Sequence, residues 1–143
     1  KPLLRIAPQS VARLKDKIKD LVRSGRGRSV GTTIELLTPI LRGWYSYYRY
    51  AEIKGTFDSL DSWIRRRLRL IFWRQWKRPL TRTKRQIARG IDPDRARISA
   101  LNGRGPWWNS GAPHMNLAFP KRYFDNFGLF SFLDNYLASR SVS

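Results

Sequence analysis

The sequence predicts an all-α fold, in which a three-helix bundle is followed by a smaller, loop-rich helical appendage. Apolar residues recur mainly at helical spacing, and no run alternates apolar and polar residues as a strand does. Hydrophobic residues make up 41% of the 143-residue chain, and aromatic residues 13%, which is enough for a packed core. The composition changes after Pro79. We therefore expect one helical domain at 1–78 and a basic, aromatic-rich region at 79–143.

Two helices are predicted before residue 55. The first runs from an N-cap at Ser10 to about Arg23 and carries one apolar stripe, formed by Val11, Leu14, Ile18, Leu21 and Val22. Gly25 is expected to end it. The second begins near Thr32, where the sequence has capping-box spacing, and ends near 54–55. Pro39 predicts a kink or a fresh start in that helix, with Thr38 as its N-cap.

The third predicted helix extends from about Phe57 to Lys77, with Thr56 as N-cap and Pro79 beyond its end. One apolar stripe consists of Phe57, Leu60, Ile64, Leu68 and Ile71. Trp63, Leu70 and Trp73 point away from that stripe, so the helix is apolar on two sides. Such a helix is usually packed between two layers, which predicts a central position.

The appendage is predicted as short helices joined by loops. A basic helix is expected at about Thr83 to Arg89, and Asp92-Pro93 is typical of an N-cap followed by proline at the first helical position. That next helix would end near Leu101. Residues 103–114 hold three glycines and two prolines and are expected to form a loop. Two more short helices are predicted near 115–124 and 131–138.

Positive charge is the strongest functional signal in the sequence. The chain has 29 Lys and Arg residues against 10 Asp and Glu, a formal net charge of +19. Such an excess destabilises a compact state, and a polyanion relieves it. We expect nucleic acid as that polyanion rather than an anionic membrane surface. No apolar stretch approaches the ~18 residues of a membrane span.

The charge is concentrated between residues 65 and 89, where eleven basic residues occur without any acid. We predict that these eleven, named here the basic run, bind RNA: Arg65, Arg66, Arg67, Arg69, Arg74, Lys77, Arg78, Arg82, Lys84, Arg85 and Arg89. A solvated helix face would alternate its signs, whereas Arg65 and Arg69 repel at four residues' separation. Arginine, which dominates the run, binds phosphate with two donors and stacks on bases. Trp73 and Trp76 lie within the run, but tryptophans at helical spacing more often belong to a core than to a stacking surface.

Residues that could carry catalysis or hold a metal are sparse. The sequence has no cysteine, and its single histidine, His114, is expected in a loop without a partner. Asp58 and Asp61, like Asp92 and Asp94, are explained by their places at helix starts. No Asp-Asp dipeptide or phosphate-binding glycine motif is present. We therefore expect neither catalysis nor a metal or other cofactor from this chain alone.

An ordered set of segments resembles the maturase-specific part of group II intron reverse transcriptases. Its members are Pro39–Trp44 with Tyr47-Tyr48, Phe57–Arg69, Trp73–Pro79, Trp107–Ser110, Met115–Ala118 and Gly128–Ser131. The likeness covers about residues 8–138. In that family, fingers and palm copy RNA into DNA, and the following helical domain, called X or thumb, binds intron RNA and primer-template. A short DNA-binding region comes next.

The resemblance implies that 1–78 is a thumb-like helical domain and that 79–143 is the following region. It implies either a fragment of an RNA-directed DNA polymerase that lacks the catalytic motif or a free-standing descendant of such a maturase. The implied partners are group II intron RNA, the fingers and palm, and also primer-template and target DNA. The implied location is the bacterial cytoplasm or an organelle.

Two other functions fit the charge. One is the DNA-binding module of a regulator or recombinase, although such a module needs a polar recognition helix and the third helix is apolar on two sides. The other is a ribosomal-type scaffold that neutralises RNA without specificity. Relative affinity for intron RNA, unrelated RNA and duplex DNA separates the three.

Overall fold

The computed structural model describes residues 6–24, 27–50 and 54–141, and within these ranges the chain is helical with no strand. The predicted all-α fold class is confirmed. The helices are α1 (Pro8–Ser24), α2 (Val30–Tyr48), α3 (Lys54–Gln75), α4 (Pro79–Ala88), α5 (Pro93–Ala100), α6 (Pro106–Ser110), α7 (Pro113–Ala118), α8 (Lys121–Asn126) and α9 (Phe132–Ser141).

The chain divides into two compact units. The first comprises Lys1–Trp63 and Phe127–Ser143, and the second comprises Ile64–Asn126. Helix α3 therefore supplies residues to both, and the last helix belongs with the first two. The division at residue 78 inferred from the sequence concerns functional regions and stays a prediction.

The core of the first unit is aliphatic on α1 and α2 and aromatic where α9 joins them. Leu14 and Ile18 of the predicted α1 stripe are buried. The Phe132 ring of α9 lies 6.1 Å from that of Phe57 and 5.3 Å from that of Trp44, measured between centroids. Phe57 is fully buried. Buried aromatic side chains of this size contribute most of a small core's stabilisation, about 1.5–3 kcal/mol each.

The predicted starts of the first three helices were wrong by two or three residues. Ser29, not Thr32, caps α2, and its Oγ accepts a hydrogen bond from the Thr32 backbone N–H at 3.1 Å. Helix α1 begins at Pro8, so Ser10 lies inside it, where its Oγ accepts a hydrogen bond from the Tyr48 hydroxyl at 2.8 Å. Helix α3 begins at Lys54, before the predicted cap at Thr56. Gly25, the predicted end of the first helix, lies outside the described residues.

Pro39 does not interrupt α2, which runs continuously from Val30 to Tyr48. The predicted restart at this position was therefore wrong. Pro39 is exposed, and Thr38 donates its hydroxyl hydrogen bond to the Ile34 carbonyl at 2.8 Å instead of capping a new helix. Buried residues before and after the proline, among them Leu37 and Leu41, hold the two halves on one apolar face. Packing thus outweighs the roughly 3 kcal/mol preference against an interior proline.

Asp61 anchors the last helix to the third. Its carboxylate accepts hydrogen bonds from the Ser131 hydroxyl at 2.7 Å and from the backbone N–H groups of Phe132 and Leu133 at 2.9 and 3.0 Å. These N–H groups open α9, where no preceding helical carbonyl can accept them. Asp61 is 4% exposed. Its role is therefore a long-range cap rather than the local dipole contact that the sequence predicted.

The second unit packs short helices against the C-terminal half of α3. The Phe72 and Phe119 rings stack at 4.0 Å, and Leu68, Leu70 and Trp73 are buried, so both predicted apolar sides of α3 are covered. Asp92 caps α5 by accepting from the Arg95 N–H at 3.2 Å, as predicted. Residues 103–114 were wrongly predicted as loop, since they contain α6 and the start of α7. A proline opens each of these two helices.

Candidate nucleic-acid interface

The basic run lies on the second half of α3, on α4 and on the turn between them, and the structure divides it by exposure. Six of its members are exposed, and one of these, Arg89, is bonded to a backbone carbonyl. The other five form no ion pair in the described part of the chain and are named here the exposed basic set: Arg74, Lys77, Arg78, Lys84 and Arg85. The six members of the run outside this set are wholly or partly enclosed or bonded to the protein's own backbone. The run is therefore not one uniform surface.

Arg69 lies in the core of the second unit rather than on its surface. Its side chain is 7% exposed, and its Nε donates a hydrogen bond to the Phe119 carbonyl at 2.8 Å. Burial, and second the like charge of Arg65, lower the pKa of Arg69 to about 10. The guanidinium thus stays protonated at neutral pH and is not available to a phosphate. For this residue the sequence-based expectation of a surface contact needs correction.

Three further members of the run bond to backbone carbonyls of the second unit. Arg89 donates to the Ala118 carbonyl at 2.9 Å, and Arg82 donates twice to that of Trp73, at 3.2 and 3.1 Å. Burial lowers the pKa of Arg82. Arg66 donates from Nη2 to the Trp107 carbonyl at 2.7 Å.

The carbonyls that Arg69, Arg82 and Arg89 meet lie at helix C-termini. Ala118 ends α7, Phe119 follows it, and Trp73 lies in the last turn of α3. Helix C-termini carry partial negative charge and unpaired carbonyls, which suit a cation. Part of the positive charge therefore holds the second unit together without carboxylates. The sequence carried no signal for this, because the acceptors are main-chain atoms distant along the chain.

Carboxylates of the protein do not neutralise the exposed basic set. Ion pairs among the described residues include those of Asp20 with Arg23, Asp94 with Arg97 and Asp125 with Lys121, and none of these contains a member of the set. Exposed pairs of this kind contribute at most about 1 kcal/mol. The set therefore presents uncompensated positive charge to solvent.

The tryptophans within the run belong to the core. Trp73 is 1% exposed and Trp76 7% exposed, and Trp76 lies 5.7 Å from the Phe119 ring. The interpretation that tryptophans at helical spacing are core residues is confirmed for both. The exposed tryptophans are instead Trp107 and Trp108, on α6. Neither had a predicted role, because the segment that contains them was expected to form a loop.

His114 is buried in α7 rather than placed in a loop, which corrects the sequence-based expectation. Its Nε2 lies 3.0 Å from Asn109 Oδ1, and its ring centroid lies 5.4 Å from that of Trp73. Burial, and second the positive charge of Arg95, lower the pKa of His114 to about 4. The neutral imidazole is therefore part of the folded second unit, and it links α7 to α6.

Lowering the pH tests whether the neutral side chain of His114 stabilises the second unit. Because the folded pKa lies below the ordinary 6.5, the unfolded chain takes up the proton first as the pH falls. The neutral His114 side chain therefore contributes its full stabilisation above pH 6.5. As the pH falls towards 4, the free energy of unfolding decreases by up to about 3 kcal/mol on account of this residue. We expect His114→Gln to show a flatter dependence of unfolding free energy on pH in this window, measured by urea unfolding. Parallel curves for the two proteins would contradict the assignment.

The described residues include no group of three or more His, Cys, Asp or Glu side chains that could hold a metal ion. No helix among them is long and apolar enough to cross a membrane.

These features define an all-α, strongly basic domain with an uncompensated cationic surface on α3 and α4. Residues 11–89 match the family model described as the group II intron, maturase-specific domain. The chain belongs to this family. The matched residues include helices α2 to α4, most of α1 and the whole basic run, whereas 90–143 lie outside the match. No curated protein matched the chain.

Proposed function

We propose that this chain binds structured group II intron RNA and thereby promotes splicing, and that within a longer reverse transcriptase it supports binding of the primer-template. The observation that carries this proposal is the exposed basic set, which lies inside the family-matched residues and has no ion-pair partner in the described part of the chain. Its charge is stabilised best by the phosphates of a folded RNA.

The binding is electrostatic and depends on the shape of the RNA. Each of the three arginines of the set donates two hydrogen bonds to the oxygens of one phosphate, and the two lysines act as point charges. The intron supplies the splicing chemistry, and the chain alone has no enzymatic activity. It acts where the intron RNA is present, in a bacterial cytoplasm or an organelle, and its protein partner is a fingers and palm domain.

A DNA-binding module of a regulator or recombinase is less compatible with the packing. A recognition helix must present a polar face to the major groove. Buried residues line both sides of α3, and Arg69 and Arg82 on α3 and α4 are engaged with backbone carbonyls. The cations that remain exposed suit contacts with the phosphate backbone of a nucleic acid rather than with base edges.

Competition binding at matched salt tests the proposal. The chain is bound to labelled group II intron RNA and displaced by the same RNA, by an unrelated structured RNA of equal length, or by duplex DNA. We expect the intron RNA to displace the label at a concentration at least about tenfold lower than the others, since specific binding exceeds charge neutralisation alone. Equal displacement by all three, or preference for duplex DNA, would contradict the proposal.

A further inference from the structure

Two tryptophans of the second unit are exposed while the residues that follow them are buried. Trp107 is 37% and Trp108 42% exposed, whereas Asn109 and Ser110 are 1% and 0% exposed. Full burial of a large aromatic side chain would stabilise the fold by about 1.5–3 kcal/mol relative to exposure. An arrangement that leaves more than a third of each of two adjacent tryptophans in solvent favours a ligand that covers them.

Cations lie against both rings. The guanidinium carbon of Arg66 is 3.9 Å from the Trp107 ring centroid, and that of Arg67 is 5.3 Å from it. The guanidinium carbon of Arg104 is 4.9 Å from the Trp108 centroid. Indole and guanidinium planes are both surfaces on which a nucleobase stacks, and the guanidinium also binds the adjacent phosphate.

The segment that carries the rings is held firmly. Asn102 and Asn109 exchange two side-chain hydrogen bonds at 2.7 and 3.1 Å, and His114 closes the network on Asn109. Gly105 precedes α6 with a φ of 85°, a conformation that other residues rarely adopt. The rings therefore need little ordering when a ligand binds, which lowers the entropic cost.

The guanidinium of Arg66 is confined at the same place. It donates two hydrogen bonds to the Trp107 carbonyl, and a Cβ at Gly111 would come within 2.7 Å of it. Gly111 thus leaves the room in which the guanidinium lies, 3.9 Å from the Trp107 ring centroid. Arg66 belongs to the basic run, so the run and the exposed tryptophans meet at this residue.

We propose that Trp107 and Trp108 form a stacking site for unpaired bases of a single-stranded nucleic acid, in which Arg66 holds the Trp107 ring in place and Arg104 lies beside Trp108. A stacked duplex keeps its base faces covered, so this chemistry selects single strands, loops or ends. A protein partner would also cover exposed rings, but the guanidinium groups beside each ring favour a polyanionic ligand. The site goes beyond the proposed function, because it requires neither a folded intron nor the exposed basic set.

Binding of short oligomers to the whole chain tests the site by fluorescence anisotropy. The labelled probes are an oligouridylate and an oligodeoxythymidylate of about twelve nucleotides, and an abasic deoxy oligomer of the same length. We expect the base-bearing probes to bind at least about tenfold more tightly than the abasic one, because stacking is worth about 1–3 kcal/mol per base. Comparison of the ribo and deoxy probes identifies the kind of strand.

Replacement of Trp108 by alanine should remove most of this base-dependent preference, and Trp108→Phe should retain it. Leu117→Ala is the matched control, since Leu117 is also apolar and 57% exposed in the same unit. Far-UV circular dichroism checks that each variant is folded. The site is refuted if wild type binds all probes equally, or if folded Trp108→Ala keeps the preference.

Failure of the proposed function is distinguishable from failure of this site. Charge reversal in the exposed basic set should weaken the binding of base-bearing and abasic probes by the same factor and leave their ratio unchanged. The wild-type chain could show no preference for intron RNA while Trp108→Ala still abolished the preference for base-bearing over abasic probes. That result would support the stacking site and contradict the proposed maturase function.

Discussion

Arg69→Glu is expected to lower the free energy of unfolding by more than about 3 kcal/mol. The substitution places a carboxylate at a site that is 7% exposed and directs it at the Phe119 carbonyl, an acceptor with no proton to offer. The negative end of α7 then faces a second negative charge, and the hydrogen bond from Arg69 is lost. Urea unfolding followed by circular dichroism measures the loss.

Lys77→Glu is the matched control for this prediction. It makes the same change of charge within the same basic run, but Lys77 is exposed and forms no ion pair in the described part of the chain. Surface substitutions of this kind usually shift stability by less than about 0.5 kcal/mol. An Arg69→Glu protein as stable as the Lys77→Glu protein would show that Arg69 is not a core residue.

Joint replacement of Lys77, Arg78 and Arg85 by glutamate should weaken binding of intron RNA on the order of 100-fold, with little change in stability. Each substitution removes one phosphate contact and adds a charge that phosphate repels. The three residues are exposed, so the fold does not depend on their charge. Electrophoretic mobility shift or anisotropy at fixed salt measures the affinity.

A second triple variant controls for total charge. Lys17, Arg95 and Arg122 are also exposed cations, and their replacement by glutamate changes the net charge equally outside the exposed basic set. We expect it to weaken binding less than about tenfold, because none of these three residues belongs to the set that is proposed to contact phosphate. Equal losses from the two triple variants would mean that total charge, and not this surface, determines RNA affinity.

The sequence predicted those parts of the fold that depend on local patterns. The stripe of Leu14 and Ile18, the apolar sides of α3 and the Asp92 cap of α5 are all as expected, since each is decided within a few residues. The start of α2 was missed because Ser29 competes with Thr32 as a cap. The continuity through Pro39 was missed because tertiary packing overrides a local preference.

Long-range contacts to main-chain atoms could not be predicted from a single sequence. Asp61 has the position of a helix-start acid, yet its partners are the N–H groups of α9 some seventy residues later. Arg69 and Arg82 belong by composition to a solvent-facing basic run, yet they donate to backbone carbonyls. Charge pattern alone therefore located the region of the candidate site and not which of its arginines face solvent.

The salt dependence of intron RNA binding tests most directly whether the exposed cations of α3 and α4 bind phosphate. Each of the five cations that neutralises a phosphate should release one counterion from the RNA. A plot of the logarithm of the association constant against the logarithm of the salt concentration should then have a slope of about −4. The Lys77, Arg78 and Arg85 triple variant should flatten that slope by about three units. A shallow slope in the wild-type chain, or one that the triple variant leaves unchanged, would contradict the account.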